Sequence, residues 1–399
     1  MLKVWWANMD YQGNDCCYEN MVFMNPQYIE FPKNNGGALY YFGNRNLTLP
    51  DFDGHMKVDT LWLKETFSII TENRKGKKFN RCFEPFAGSA AWSLTAMELG
   101  FSNEYYINDG NKILIDFLQL VKNDPNQLKD RYSYLVDQYN KSDKNTFFLN
   151  VIKDYNLGDD FEKSLLIPFI INFSWGGMVF YDVNGSIRYQ EHKLAGRLVP
   201  GYIDTPPLSL NQYFAEINRI SLLLNNNTVY FQNGDFEHAL ANIDKDDFVI
   251  LNPPYPENER SDIEKFGLYL EIHPREVLHE KLCNLIRKLE SNDIDYFLSY
   301  GLYNPDLKNF LIGNILDQPR YYLRIIGSEN CIFGRALDQV YLSKNLIIPK
   351  NIESKVIPAI EVLQNKNISH LEALEVFSRI SLEKELSQNE ISFKISIKS

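Results

Sequence analysis

The sequence predicts an α/β protein built on a twisted, mostly parallel sheet. Three stretches predict it. Arg81-Cys82-Phe83-Glu84 reads as a strand that passes through a tight turn of small residues into a helix over 92–99. Tyr105-Tyr106-Ile107-Asn108-Asp109 reads as a second strand ending in an acid, followed by a helix over 111–121. Phe248-Val249-Ile250-Leu251 is an unbroken apolar run, as expected of a strand buried on both faces, and it enters Asn252-Pro253-Pro254-Tyr255 directly. Strands alternating with helices are the pattern of crossover units in a parallel sheet.

Composition bounds the rest. The 399 residues are 44% hydrophobic, enough for one large domain with an insertion, or for two domains. A net charge of −11 argues against a general polyanion binder, although a local basic cleft can sit on an acidic protein. Cys16, Cys17, Cys82, Cys283 and Cys331 form no CxxC pair, and the six histidines make no cluster at ligand spacing, so neither disulfides nor a metal is expected. The N-terminus has no signal-peptide pattern, and the longest apolar run, 165–180, is too short and too polar to span a bilayer. The expectation is a cytoplasmic protein with no membrane partner.

Residues 1–36 carry no clear period and read as an N-terminal extension. Next come Tyr41, Gly43 and Arg45, a short apolar strand turning at glycine into a basic residue, and then apolar positions at helical spacing over 61–70. The turn Glu84-Pro85-Phe86-Ala87-Gly88-Ser89 follows. Its small residues let a ligand approach the backbone, and the helix N-terminus behind it favours a carboxylate. Glu84 would face the same crevice and attract an ammonium. A ligand bearing both groups is an amino acid, such as the methionine end of S-adenosyl-L-methionine. Asp109 lies about 20 residues beyond, the spacing at which such folds present an acid to ribose hydroxyls. Its plainer role is a helix N-cap.

Residues 121–220 interrupt the rhythm, with eleven Lys and Arg against twelve Asp and Glu. The first part is polar and helical. Asn172 and Trp175 lie in an aromatic run, and Asp182-Val183-Asn184-Gly185 marks a hairpin. Only the stretch containing Arg188, Lys193 and Arg197 is locally positive. The α/β pattern resumes with a strand over 229–233 that ends before Asp235 and Phe236, an acid and a ring suited either to an adenine or to a helix start. Beyond Leu251, neither proline can donate to a ladder and each biases its predecessor away from helix, so a stiff loop projects from the strand's carboxyl end, where open α/β sheets bind ligands. That loop offers the Asn252 amide, carbonyls and the Tyr255 ring, a set suited to a flat base with an exocyclic amine. A helix over 276–289, a strand over 295–300 and an antiparallel pair over 321–326 and 339–343 complete the core. Residues 350–399 read as short amphipathic helices.

Taken in order, Phe83-Glu84-Pro85-Phe86-x-Gly88, Asp109 and Asn252-Pro253-Pro254-Tyr255 resemble the Dam-like adenine-N6 DNA methyltransferases over residues 37–346. The resemblance implies a Rossmann-like methyltransferase fold, with the core in 37–120 and 221–349, a target-recognition insert in 121–220 and a helical extension in 350–399. It implies S-adenosyl-L-methionine as cofactor, held by Tyr41, Gly43, Arg45, Glu84, Phe86, Gly88, Ser89, Asp109, Asp235, Phe236 and Asn252. Asn252, Pro253, Pro254 and Tyr255 would form the catalytic loop. Asn172, Trp175, Arg188, Lys193 and Arg197 would face double-stranded DNA. The family further implies a bacterial or phage-encoded enzyme with a cognate restriction enzyme as partner.

The sequence departs from the family in several places: Arg45 stands where the family has Lys, the Gly-rich turn becomes Gly88-Ser89-Ala90, and two further changes bear on the substrate. The loop begins with Asn252 where the family usually has Asp, and Asn is also common in methyltransferases that act on glutamine or RNA. The insert's Asn-Arg-x-x-Phe-Asn-Gly signature survives only as Asn172-Phe173-Ser174-Trp175-Gly176-Gly177. Two alternatives therefore stand beside DNA adenine methylation: the same fold acting on RNA or protein glutamine, and an inactive binding protein on this scaffold.

Overall fold

Seven strands form one sheet in the order β10-β11-β9-β8-β1-β2-β7. They are β1 (Phe79–Glu84), β2 (Ser102–Asp109), β7 (Thr228–Asn233), β8 (Phe248–Leu251), β9 (Asp295–Leu302), β10 (Tyr321–Ile325) and β11 (Ala336–Leu342). The computed structural model describes residues 67, 70–71, 74–177, 179–182, 184–194, 197–199, 201–206, 208–254, 273–302, 321–325 and 336–346. The expected N- and C-terminal extensions, Tyr41, Gly43, Arg45, most of the helix over 61–70, and Tyr255 lie outside these residues. Neighbours β7, β2, β1, β8 and β9 all pair in parallel. β11 alone runs against its neighbours β9 and β10, so the expected closing antiparallel pair forms, with β11 starting three residues earlier than the expected 339.

The central strands are apolar throughout because both faces are covered. Cys82, Phe248, Ile250 and Phe297 join the core on one face, and Phe83, Val249, Leu251, Tyr296 and Leu298 join the core on the other. On the second face lies helix α8 (Arg275–Ser291), with Leu278, Leu282, Leu285, Ile286 and Leu289 along one stripe. Each such side chain contributes about 1.5–3 kcal/mol of gross burial energy. At the amino ends of β1 and β8, Arg81 grips the buried Asp247 with both arms of its fork, at 3.0 and 2.5 Å.

On the first face lie α1 (Ala91–Glu98) and α2 (Lys112–Asn123), followed by α3 (Pro125–Lys141), α4 (Lys144–Leu157), α5 (Asp160–Phe173) and α6 (Leu210–Asn226). Asp124, Asp143, Asp159 and Ser209 each cap the helix they precede. Tyr132, Phe169 and Ile217 belong to the same continuous core as Cys82, Phe248 and Ile250. The inserted region is thus packed as part of the sheet's covering layer. The expected boundary at 220/221 falls inside α6, and Arg219 binds both Glu216 of that helix and Glu98 of α1. Two short hairpins follow α5: β3 (Phe180–Tyr181) with β4 (Ile187–Arg188), and β5 (His192–Leu194) with β6 (Arg197–Val199). No described helix is long and apolar enough to cross a membrane. Among the described residues, no group of three or more His, Cys, Asp or Glu is placed to hold a metal ion.

Candidate active site at the sheet's switch point

The chain runs outward from β1 to β2 and β7, then returns to β8 on the other side of β1. β1 and β8 are parallel neighbours in the register Phe83↔Val249, and they end at Glu84 and Leu251. The turn after Glu84 and the loop after Leu251 therefore leave the same edge of the sheet, side by side, at the point where crossovers diverge and ligands bind. The loops after β2 and β7 complete this edge, with Asp109 opposite Asn233.

Three of these loops are tied together by two residues at the end of β2. Buried Asn108 donates its side-chain amide to the Pro85 and Gly234 carbonyls, both at 3.0 Å, and its backbone carbonyl accepts from the Ala87 N–H at 2.9 Å. Asp109 accepts from the Gly88 N–H at 2.7 Å through Oδ2, and from the Asn111 N–H at 2.8 Å through Oδ1. Burial raises its pKa despite these two donors. Asn111, the actual N-cap of α2, accepts from the Ile113 N–H and donates to the Tyr181 hydroxyl at 3.2 Å. Tyr181 thus joins the inserted hairpin to this edge.

The turn itself is left-handed at Gly88 (φ 52) and again at Ala90 (φ 57). Glycine accepts this conformation freely, whereas at Ala90 it costs about 1–2 kcal/mol. Ser89 is buried. Phe86 packs on the buried Phe236, with ring centroids 5.0 Å apart.

Glu84 differs from expectation. It is 1% exposed, and Oε2 accepts from the Ser93 N–H at 2.9 Å in the first turn of α1. Ala90 offers α1 no side-chain cap, so Glu84 supplies that acceptor from the strand below. The donor expected to greet a ligand carboxylate is already engaged, and Glu84 is enclosed rather than open to the crevice. Burial pushes its pKa up to about 8, against the N–H groups that favour its charged form.

Asp235 caps the four-residue helix α7 (Phe236–Ala239) through the Glu237 N–H at 2.9 Å. Its other oxygen meets His273 Nε2 at 2.5 Å and Lys281 Nζ at 3.0 Å. Burial alone would raise its pKa. The Glu237 N–H, His273 and Lys281 outweigh that and hold it at about 2. Of the Pro-Pro loop, Pro253 is buried, and Asn252 and Pro254 are half-buried at the edge.

The residues expected to face DNA separate. Asn172 is 0% exposed within α5 and donates to the Tyr132 hydroxyl at 3.3 Å. A side chain so enclosed presents nothing to a duplex, which corrects its assignment. Trp175 is half-buried in a 3-10 turn, with its backbone N–H donated to the Gly201 carbonyl at 2.9 Å. Arg188 is exposed at the end of β4 and reaches the Tyr181 carbonyl at 3.1 Å. Lys193 and Arg197 stand on the β5–β6 hairpin. Sequence reading missed Asn108, Asn111, Tyr181, His273 and Lys281. The Asn-Asp-x-Asn run was the only one of these signals available in the sequence.

The strand order and the ligand edge at its switch point define a Rossmann-like methyltransferase fold. The chain belongs to the D12 class N6 adenine-specific DNA methyltransferase family, whose model matches residues 62–322. It is 28% identical over 185 residues to the Type II methyltransferase M1.LlaDCHI of Lactococcus lactis subsp. cremoris, covering 45% of this chain and 58% of that protein. It is 26% identical over 255 residues to the Type II methyltransferase M.MjaIII of Methanocaldococcus jannaschii, covering 61% of this chain and 82% of that protein. Among solved structures it is similar to the rRNA methyltransferase AviRa of Streptomyces viridochromogenes, with a TM-score of 0.29 and 10% identity over 71% of this chain and 86% of that one.

Proposed function

We propose that this protein transfers a methyl group from S-adenosyl-L-methionine to the N6 amino group of adenine in double-stranded DNA, at specific sites. The observation that carries the reading is the parallel pairing of β1 with β8 in a chain of this family. It sets the Glu84–Ser89 turn beside the Asn252-Pro253-Pro254 loop. The residues at the edge fit the cofactor: a left-handed glycine turn, a partly exposed acid after β2 and an aromatic wall of Phe86 and Phe236. When bound, the cofactor supplies an already activated methyl on a sulfonium.

The chain's own part is positioning and electrostatics. Gly88 and Ser89 let the methionine end approach the backbone. Asp109 keeps acceptor capacity for ribose hydroxyls beyond its two N–H partners. Asp235 accepts from the cofactor's adenine amine, and Phe236 packs against its ring. Tyr41, Gly43 and Arg45 complete the site. The target adenine leaves the base stack and rests on Tyr255. The Asn252 side-chain carbonyl and the Pro253 carbonyl draw its amine toward tetrahedral geometry, aiming the nitrogen lone pair at the methyl. Arg188, Lys193, Arg197 and Trp175 belong to the DNA-facing region. The Type II designation of both relatives supports a site-specific enzyme, for which a cognate restriction enzyme is the proposed partner.

Labelled cofactor incubated with separate DNA, RNA and protein pools tests the reading, followed by mapping of methylated adenines in DNA from expressing cells. Label confined to DNA, at adenine N6 within one short sequence, is the expected result. Label in RNA or in protein glutamine would replace the substrate assignment.

A further inference from the structure

Asp235 is held by more partners than a cap requires. Its Oδ1 accepts from the Glu237 N–H, which satisfies the capping role of a helix only four residues long. Its Oδ2 is gripped separately by His273 and Lys281, which come from 38 and 46 residues further along the chain. Lys281 also contacts Glu237, so the ammonium bridges both acids beside α7. The three side chains of the clamp are only 16–26% exposed, which keeps the contacts close to the protein surface but largely out of bulk water.

An ionised carboxylate offers roughly four acceptor positions. The described residues fill one on Oδ1 and both on Oδ2. One acceptor position remains, on Oδ1, and the carboxylate cannot rotate to hide it while Oδ2 is clamped. We infer that His273 and Lys281 are positioning residues that fix this last acceptor toward the amino group of the cofactor's purine, and so set a preference for adenine over its oxo counterpart. The inference rests on the assignment of Asp235 to the cofactor's adenine. A purine bearing a 6-oxo group would set an acceptor against a locked acceptor, leaving both unpaired. With the clamp removed, the carboxylate turns toward water and that penalty falls away.

Calorimetry on the full chain with S-adenosylhomocysteine and its deaminated counterpart, S-inosylhomocysteine, tests this. The native protein should prefer the amino form by about 30-fold, the worth of a hydrogen bond to a charged group. His273→Asn with Lys281→Met should shrink the preference to below about threefold, while Lys281→Arg, which keeps a cation within reach, should retain most of it. Should the double variant fail to fold, Lys281→Met against Lys281→Arg makes the same comparison. A folded clamp variant that keeps the full preference overturns the inference and leaves Asp235 as the acceptor. A native protein with no preference overturns the Asp235 assignment itself, and the clamp's role with it.

Discussion

Replacing Glu84 by glutamine should free the fold of a pH dependence that the native chain carries. Glu84 titrates near 4.5 in an unfolded chain and at about 8 in its buried place under α1. Between those values the native state holds a proton that the unfolded state has released. Native stability therefore falls as pH rises through the window and levels off above about 8. Each pH unit is worth about 1.4 kcal/mol, so the full window amounts to about 4–5 kcal/mol. Glutamine keeps an acceptor for the Ser93 N–H but never has to be buried as an anion. Urea unfolding of both proteins from pH 5 to pH 9 isolates the difference, because other titrating groups are common to both. Glu84→Gln should match or trail the native protein at pH 5 and exceed it by several kcal/mol at pH 9. Parallel profiles across the range would refute the account of a buried, proton-holding acid.

Three further outcomes are expected. Asn252→Ala should lower methyl transfer by at least about a hundredfold, with cofactor binding persisting in calorimetry; equal loss of both would remove Asn252 from the chemistry. Arg81→Ala leaves the Asp247 carboxylate, 1% exposed, with little beyond the Asp244 N–H. It should cost about 3 kcal/mol by urea unfolding, and a loss under about 1 kcal/mol would contradict the buried pairing. Arg188→Ala should weaken DNA binding and reduce the salt slope by about 1, whereas Asn172→Ala should lower stability by about 1–3 kcal/mol without altering that slope. The reverse pattern would restore Asn172 to the DNA face.

The central strands were legible because burial on both faces writes itself as an unbroken apolar run, as in Phe248–Leu251, and because two prolines fix where that strand must stop. The closing pair near the end was legible as two strand-like runs, 321–326 and 339–343. Asn172 misled for a specific reason. Residues 164–173 of α5 are buried all round, so the run carries no helical stripe to mark Asn172 as interior, and Asn172 was read instead as the remnant of the insert's signature. Its partner, Tyr132, lies 40 residues earlier. α6 was not anticipated, although Ser209 and Gln212 spell out the reciprocal cap that starts it. Glu84 was read as a ligand contact because nothing local says that Ala90 holds the cap position of α1, or that the Ser93 N–H nine residues on turns to Glu84. The clamp on Asp235 depends on contacts across tens of residues, which no local pattern carries.

The single core that joins α3, α5 and α6 to the sheet has a consequence for re-engineering target choice. Transplanting another enzyme's specificity segment at 121–220 would cut through a helix and strip the apolar lining from one side of the sheet. A working chimera would have to exchange only the two small hairpins beyond α5, or import α2 through α6 as one indivisible block. New sequence preferences in this scaffold should therefore arise through the hairpins, where Arg188 already stands exposed on β4, before they arise by wholesale exchange.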